Sequence, residues 1–300
     1  MKKRAVALLL CFILTVFMCS CGRYASVRVN GEKISQGIYN YFLDRAKAEN
    51  ADASQTEQTE IANKKLADYV AVNSEFQNRG LKLGTEEKIS VSDNVDALWH
   101  AYGEYYTQNK ITKQDLYKIE LSNTYRQALM LSIYSADGAK PVSEDELKNY
   151  FNSHYIAFKA ITGFLTTVDD NNNAVAMSDA EKQSIMSKFS KMVEDINDGS
   201  VSFDGASTYA DNVTLTSNAI VIDADDKSYP KGFYEQLSSM EEGKAASFVI
   251  GDYIFTVQRF AALSEDLNLF ERYRTKCLTA LKGEEFAETV SEWGKAYTVA

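Results

Sequence analysis

Residues able to do covalent, acid–base or metal chemistry are few in this 300-residue chain. Histidine occurs twice, as His100 and His154, and cysteine four times, as Cys11, Cys19, Cys21 and Cys277. A zinc site draws on cysteine and histidine ligands at set spacings, and no cysteine pair here has that spacing. The acidic clusters Asp169-Asp170 and Asp223, Asp225 and Asp226 lack the spacing of a calcium loop and read as solvated turns. Neither a Gly-rich phosphate loop nor a G-x-S-x-G elbow occurs. Cys277 falls in a helical pattern and reads as a packed small residue. No cofactor and no metal are implied. The thiol with a chemistry to expect is Cys21, because of what precedes it.

Met1-Lys-Lys-Arg4 is a short basic start, and Ala5 to Met18 is an uncharged apolar run of 14 residues. A charged start, a short apolar core and small residues after it make a secretory signal. The run is too short for a membrane span of about 20 residues. Met18-Cys19-Ser20-Cys21 resembles a bacterial lipobox, in which cleavage exposes a cysteine that is then diacylated. Cys21 is therefore the expected lipidated N-terminus, with residues 1–20 as the signal. Two acyl chains anchor far more firmly than one.

Removing residues 1–20 takes away Lys2, Lys3 and Arg4, so 32 basic residues become 29 against 42 acidic ones, a net charge near −13. That balance argues against nucleic acid and against polybasic membrane binding. Cys11 and Cys19 leave with the signal and Cys21 is acylated. Cys277 then stands alone, and no intramolecular disulfide is expected.

The elements divide into two kinds. Val27 to Ile34 alternates about Asn30-Gly31, a hairpin signal. Ser35 is an expected helix cap, and Ser54 with Glu57 and Thr112 with Asp115 mark further helix starts. Helices are predicted to Asn78, over 92–108 and to about Tyr134. After Pro141 the composition changes. Ser143 with Glu146 opens a short helix, Tyr155 to Val168 reads as a strand, and Ser178 with Glu181 opens a helix ending near Gly199. A short helical piece over Phe203–Tyr209 follows, then strands at 213–222, 245–250 and 253–260 with a helix near 233–240. From Leu267 to about Trp293 the pattern returns to helix, with Leu269, Tyr273, Cys277 and Leu281 on one face. The fold class is α+β. A helical domain built from the N-terminal (21–140) and C-terminal (265–300) segments carries an inserted α+β domain (141–264).

V-x-V-N-G-E-x-I-S before an aromatic-rich helix resembles the N-terminus of extracytoplasmic foldases of the PrsA and SurA type. Pro141-Val-Ser-Glu-Asp-Glu-Leu-x-x-Tyr-Phe is similar to the entry of the parvulin-type prolyl isomerase domains that such proteins insert. Phe233 to Gly243 and Gly251-Asp-Tyr-Ile254 resemble that domain's later helix and closing strand. The resemblance implies a chaperone that binds unfolded exported polypeptides while tethered to the membrane through a lipid. It also implies departures at the catalytic positions. Ala160 stands in the place of the first-strand histidine, Tyr253 in that of the second, and Asn212 or Asp211 near that of the acid or cysteine. Tyr229 falls at the methionine of the proline pocket, and the pocket phenylalanine is kept as Phe233. Phe233, Tyr229 and Phe203 are the implied peptide-binding residues. His154 reads as a boundary histidine. The expectation is a foldase-like chaperone with a parvulin-like domain that is weak or inactive in catalysis. An active isomerase and a partner-binding surface lipoprotein are the alternatives, and a homodimer stays open.

Overall fold

The turn Asn30-Gly31 has positive φ at both residues, 49° and 83°. Asparagine and glycine tolerate that conformation, and it suits a two-residue hairpin. It joins β1 (Arg28–Val29) to β2 (Glu32–Lys33). In the computed structural model, residues 27–169, 173–264 and 268–300 are described. Cys21 and the apolar run lie outside them. Among the described residues, no helix is long and apolar enough to cross a membrane.

The chain divides into two units, Met1–Lys140 with Gly283–Ala300, and Pro141–Lys282. The first is helical: α1 (Gln36–Glu49), α2 (Gln55–Asn78), α3 (Thr85–Gln108) and α4 (Lys113–Tyr134). Local chemistry starts three of the four. Ser35 accepts from the Gly37 amide, while Ser54/Glu57 and Thr112/Asp115 form complete capping boxes. Each such cap is worth about 1 kcal/mol. Helix α3 begins seven residues before the expected 92. Gly84 has no capping side chain, and the Glu87 carboxylate alone accepts from the Gly84 amide. The segment 85–90 is exposed, so no apolar periodicity announces it. The C-terminal tail joins the hairpin: Val299 bridges Val29, and Arg28 and Ala300 exchange backbone hydrogen bonds of 2.9 and 2.8 Å.

The second unit is α+β. Its helix α5 (Glu144–His154) leads into a four-stranded antiparallel sheet, order β6-β3-β8-β7, made of β3 (Ile156–Phe164), β6 (Thr214–Ile222), β7 (Ala245–Ile250) and β8 (Tyr253–Phe260). Between β3 and β6 run α6 (Asp179–Asp198) and the short α7 (Phe203–Ala206). A further short helix, α8 (Phe233–Ser238), follows β6. Two expectations change here. Only half of the Ser143/Glu146 box forms, with the Ser143 hydroxyl accepting from the Glu146 amide at 3.2 Å. The strand expected over 155–168 stops at Phe164. Leu165 donates to the Asp252 carbonyl and accepts from the Met177 amide. The chain then leaves the main sheet as β4 (Thr166–Val168), paired with β5 (Ala174–Ala176).

Helix α9 (Leu269–Gly294) contributes to both units. Its face of Leu269, Tyr273 and Cys277 does not serve the N-terminal helices. Tyr273 packs on Phe151 and Tyr155 at 5.7 and 5.3 Å and donates to the Val221 carbonyl, all within the α+β unit. Farther along, Phe286 meets Tyr134 and Trp293 lies under Arg79 in the helical unit. The α+β unit therefore extends to Lys282 rather than to the expected residue 264. Cys277 is fully buried, and burial pushes its thiol up, as befits a packing residue.

Candidate functional site

Successive residues of a strand point to opposite faces, and the sheet uses both faces as core. On one face Phe158, Ala160, Phe255 and Val257 pack with Phe233 and Leu237 of α8. On the other, Ile161 and Ile254 pack with Phe189, Met192 and Phe203. Phe203 and Phe233 are thus separated by the sheet. Phe233 has no exposed surface. Its ring stacks on Tyr229 at 4.2 Å and meets Phe255, Phe158 and Phe248 at 4.9, 5.4 and 5.6 Å. Burial raises the Tyr229 hydroxyl above its ordinary value, with the field of Asp226 adding to this and a hydrogen bond to Thr216 opposing it. Phe233 and Tyr229, named as pocket residues, stack on each other. Phe233 and Phe203 are core residues, and Tyr229 is half-buried cover.

Ala160 lies buried in the sheet, opposite Thr216 on β6 and Val257 on β8. Tyr253 is at the far end of β8 and pairs with Phe164, not with Ala160. Four ladder steps of about 3.4 Å separate the two positions, roughly 14 Å. The structure does not bring Ala160 and Tyr253 together. It brings Tyr253 and Phe164 together instead, with ring centroids 5.4 Å apart.

Beside that pair opens a cleft of about 420 Å³, framed by Phe164, Val168, Met177, Lys188, Asp211 and Asn212. Its floor depends on Gly163. A Cβ there would come within 2.7 Å of the Phe189 ring, so glycine lets α6 pack close under β3. Next to the cleft residue Ala210, the chain is tied to α6 through a buried acid. Tyr209 donates to Asp195 at 2.8 Å, and Lys191 pairs with the same carboxylate at 2.7 Å. Lys191, then Tyr209, draws the Asp195 carboxyl below its ordinary value. Asn197 accepts from the Ala245 amide and donates to its carbonyl, both at 2.9 Å, tying α6 to β7. Asn212 is exposed with φ 56°, a conformation asparagine tolerates.

Apolar groups concentrate at this end of the unit: Val168 is 62% exposed, Phe164 41% and Tyr253 39%. Of the residues named from sequence, Asp211 and Asn212 line the cleft; Tyr253 is not among its lining residues and meets it only through its partner Phe164. Phe164 was missed, because the break at Leu165 that frees its ring depends on hydrogen bonds to distant segments. His154 stacks on Tyr150 at 3.9 Å at the end of α5 and makes its ring-nitrogen contacts with Tyr150 and Ser153. His100 is exposed on α3 in the other unit. Among the described residues, no group of histidine, cysteine and acidic side chains is arranged to hold a metal. The cleft offers apolar surface with a few polar groups at its rim, suited to holding an extended, partly apolar chain.

No protein-family model matches the chain, and no curated protein matches it. Its neighbours among solved structures are PrsA foldase proteins. The foldase protein PrsA of Lactococcus lactis is 12% identical with a TM-score of 0.40, the match covering 92% of this chain and 93% of that one. The PrsA of Streptococcus pneumoniae is 10% identical at 0.40, covering 89% and 90%, and that of Bacillus subtilis 11% identical at 0.34, covering 80% and 84%.

Proposed function

We propose that this protein is an extracytoplasmic chaperone of the foldase type, tethered through a lipid on Cys21, which holds unfolded segments of exported polypeptides. The observation that carries the reading is the cleft lined by Phe164 and Val168, together with the exposed Tyr253 that packs on Phe164, so that exposed apolar side chains gather at one end of the α+β unit. Aromatic side chains with open faces bind apolar segments without demanding one sequence. The acidic surface fits this role, since it keeps the carrier soluble and repels non-specific anionic partners.

The parvulin-like domain in this reading binds without turning over its amide. Prolyl isomerisation must lower a barrier of about 18–20 kcal/mol. The groups available at the positions named by the resemblance are a buried methyl, an exposed phenol and an exposed amide or carboxylate, of Asn212 or Asp211. No proton-transfer pair stands at the Phe164–Tyr253 site.

The test uses the full mature chain in two assays, suppression of aggregation of a reduced, unfolded client and isomerisation of a proline peptide. The expected result is suppression, with isomerisation at the uncatalysed rate. Suppression that survives Phe164→Ala with Tyr253→Ala would remove the cleft from the reading. Isomerase turnover well above background would replace it with an enzymatic one. Anchoring is tested separately: Cys21→Ala should release the protein from membranes or leave it unprocessed.

A further inference from the structure

A second cavity, of about 450 Å³, lies wholly in the helical unit among α1, α2 and α4. We propose that it binds a carboxylate attached to an apolar group, with Arg126 as the anion anchor.

Three cationic side chains line it, Arg45, Lys65 and Arg126, with two carboxylates, Glu49 and Asp68. Glu49 is already engaged: Lys65 pairs with it at 2.7 Å and Arg45 at 3.4 Å. Arg126 has no ion pair among the described residues. Its guanidinium sits 5.5 Å over the Phe286 ring. Burial draws it below its ordinary value, and only the more distant field of Asp68 opposes this. A half-buried guanidinium without a hydrogen-bonded anion is costly, and its planar fork suits a carboxylate bidentately.

Asp68 does not fill the place. One of its carboxylate oxygens is buried with no hydrogen-bond partner, and a Cβ added at Gly294 would run into that oxygen. The carboxylate is thus turned toward the α9 backbone, and burial raises it above its ordinary value. Among the described residues, the cavity thus keeps a guanidinium that no carboxylate pairs with.

The walls define the rest of the ligand. Tyr41, Phe42 and Tyr69 supply aromatic surface, Phe42 and Tyr69 with ring centroids 5.7 Å apart. Burial, then the nearby Asp115, holds the Tyr69 hydroxyl up at about 12, so it stays protonated. A carboxylate on Arg126 with an apolar side chain against these rings uses both features. Two sources share that chemistry, the C-terminal end of a polypeptide and a small free acid.

The probes are an N-acetylated tetrapeptide ending in phenylalanine, as free acid and as C-terminal amide, and N-acetylphenylalanine. They are titrated calorimetrically into the full mature chain. The free-acid peptide is expected to bind at least about tenfold more tightly than the amide, about 1.4 kcal/mol. Arg126→Gln should erase that preference and Arg126→Lys keep part of it, each judged against its thermal melt. Equal affinity of acid and amide for the wild type, or no binding of the acid at about 1 mM, would overturn the proposal without reference to any variant. N-acetylphenylalanine binding as tightly as the peptide assigns the site to small acids. Binding of the peptide alone assigns it to chain ends.

Discussion

Tyr253 and Phe164 face each other across the β3–β8 ladder with ring centroids 5.4 Å apart, both more than a third exposed. Two residues farther along β8, on the same face, Phe255 continues the row into the buried cluster around Phe233. The same aromatic row is therefore core at one end and open surface at the other. Chemistry at the pair is limited to a phenol and an apolar ring.

That gradient separates binding from stability. Phe164→Ala and Tyr253→Ala should each weaken client binding by about 1–2 kcal/mol, the range of a truncated interface aromatic. Both should leave the unfolding midpoint of the α+β unit nearly unchanged. Phe233→Ala should instead destabilise that unit by about 3–5 kcal/mol through the cavity it leaves. Urea unfolding beside peptide titration checks both. A Phe233→Ala protein of native stability with lost binding would reverse the assignment.

Replacing residues at the positions named by the resemblance should not restore an isomerase. Ala160→His with Tyr253→His places the two rings four ladder steps apart. The imidazole introduced at position 160 would replace a buried methyl and overpack the sheet at a cost of about 1–3 kcal/mol. The expected double variant is less stable and no faster in a proline-peptide assay. A gain in turnover would show that Ala160 and Tyr253 approach each other in a way the strand register does not allow.

The N-terminal helices meet at a buried carboxylate. Asp115 accepts from the Ser35 hydroxyl at 2.6 Å and from the Thr112 amide and hydroxyl at 3.0 and 2.6 Å, joining the starts of α1 and α4. Gly37 packs directly on it, and a Cβ there would strike the carboxylate. Asp115→Ala should cost about 2–3 kcal/mol, since it leaves several donors unpaired. Gly37→Ala should also destabilise, although alanine is normally the better helix residue by about 1 kcal/mol. A stabilised Gly37→Ala would contradict the contact. Denaturant melts of the two variants decide it.

What was legible followed from how local the cause is. Ser54/Glu57, Thr112/Asp115, Ser178/Glu181 and Asn30-Gly31 act over two to four residues, and each forms as the sequence reads. The start of α3 was missed because its capping glycine carries no side chain to read. Gly37 gave no signal because its reason, Asp115, lies on another helix. Tyr253 was named from its sequence context as the place of a histidine, whereas its pairing with Phe164 depends on register. Register is set by the whole β3–β8 ladder, so nothing local announced that Tyr253 would face Phe164. The burial of Phe233 has the same origin: its neighbours Phe158, Phe248 and Phe255 come from three strands.

Acid should loosen one identifiable tie. Arg274 donates to both oxygens of Glu144, and with Lys148 it draws the Glu144 carboxyl down to about 2. A carboxyl lowered on folding stabilises fully above its unfolded value, about 4.3, and loses that contribution as pH falls toward 2. Both side chains are partly exposed, 33% and 45%, so screening limits the effect to at most about 1 kcal/mol. Between pH 5 and 2.5 the wild type should lose more stability than Glu144→Gln by that amount. Parallel pH dependences of the two would remove the pair from the account.

The boundary of the α+β unit gives the most direct test of how the chain is organised. Leu269, Phe270, Cys277 and Leu278 are buried, and Phe151 packs on Phe270 and Tyr273 at 5.6 and 5.7 Å. Lys276 pairs with Asp223 and Arg274 with Glu144, so the first half of α9 is fastened within this unit at several points. A fragment of residues 141–282 should therefore fold cooperatively on its own. Ending it at 264 removes at least four buried apolar side chains worth about 1.5–3 kcal/mol each. That loss is comparable with the whole stability of a domain, about 5–15 kcal/mol. The shorter fragment should be largely unfolded, or should show a collapsed state with little near-ultraviolet dichroism. Equal unfolding midpoints for the two fragments would mean that the first half of α9 adds nothing to the unit, and its partners would have to be sought elsewhere in the chain.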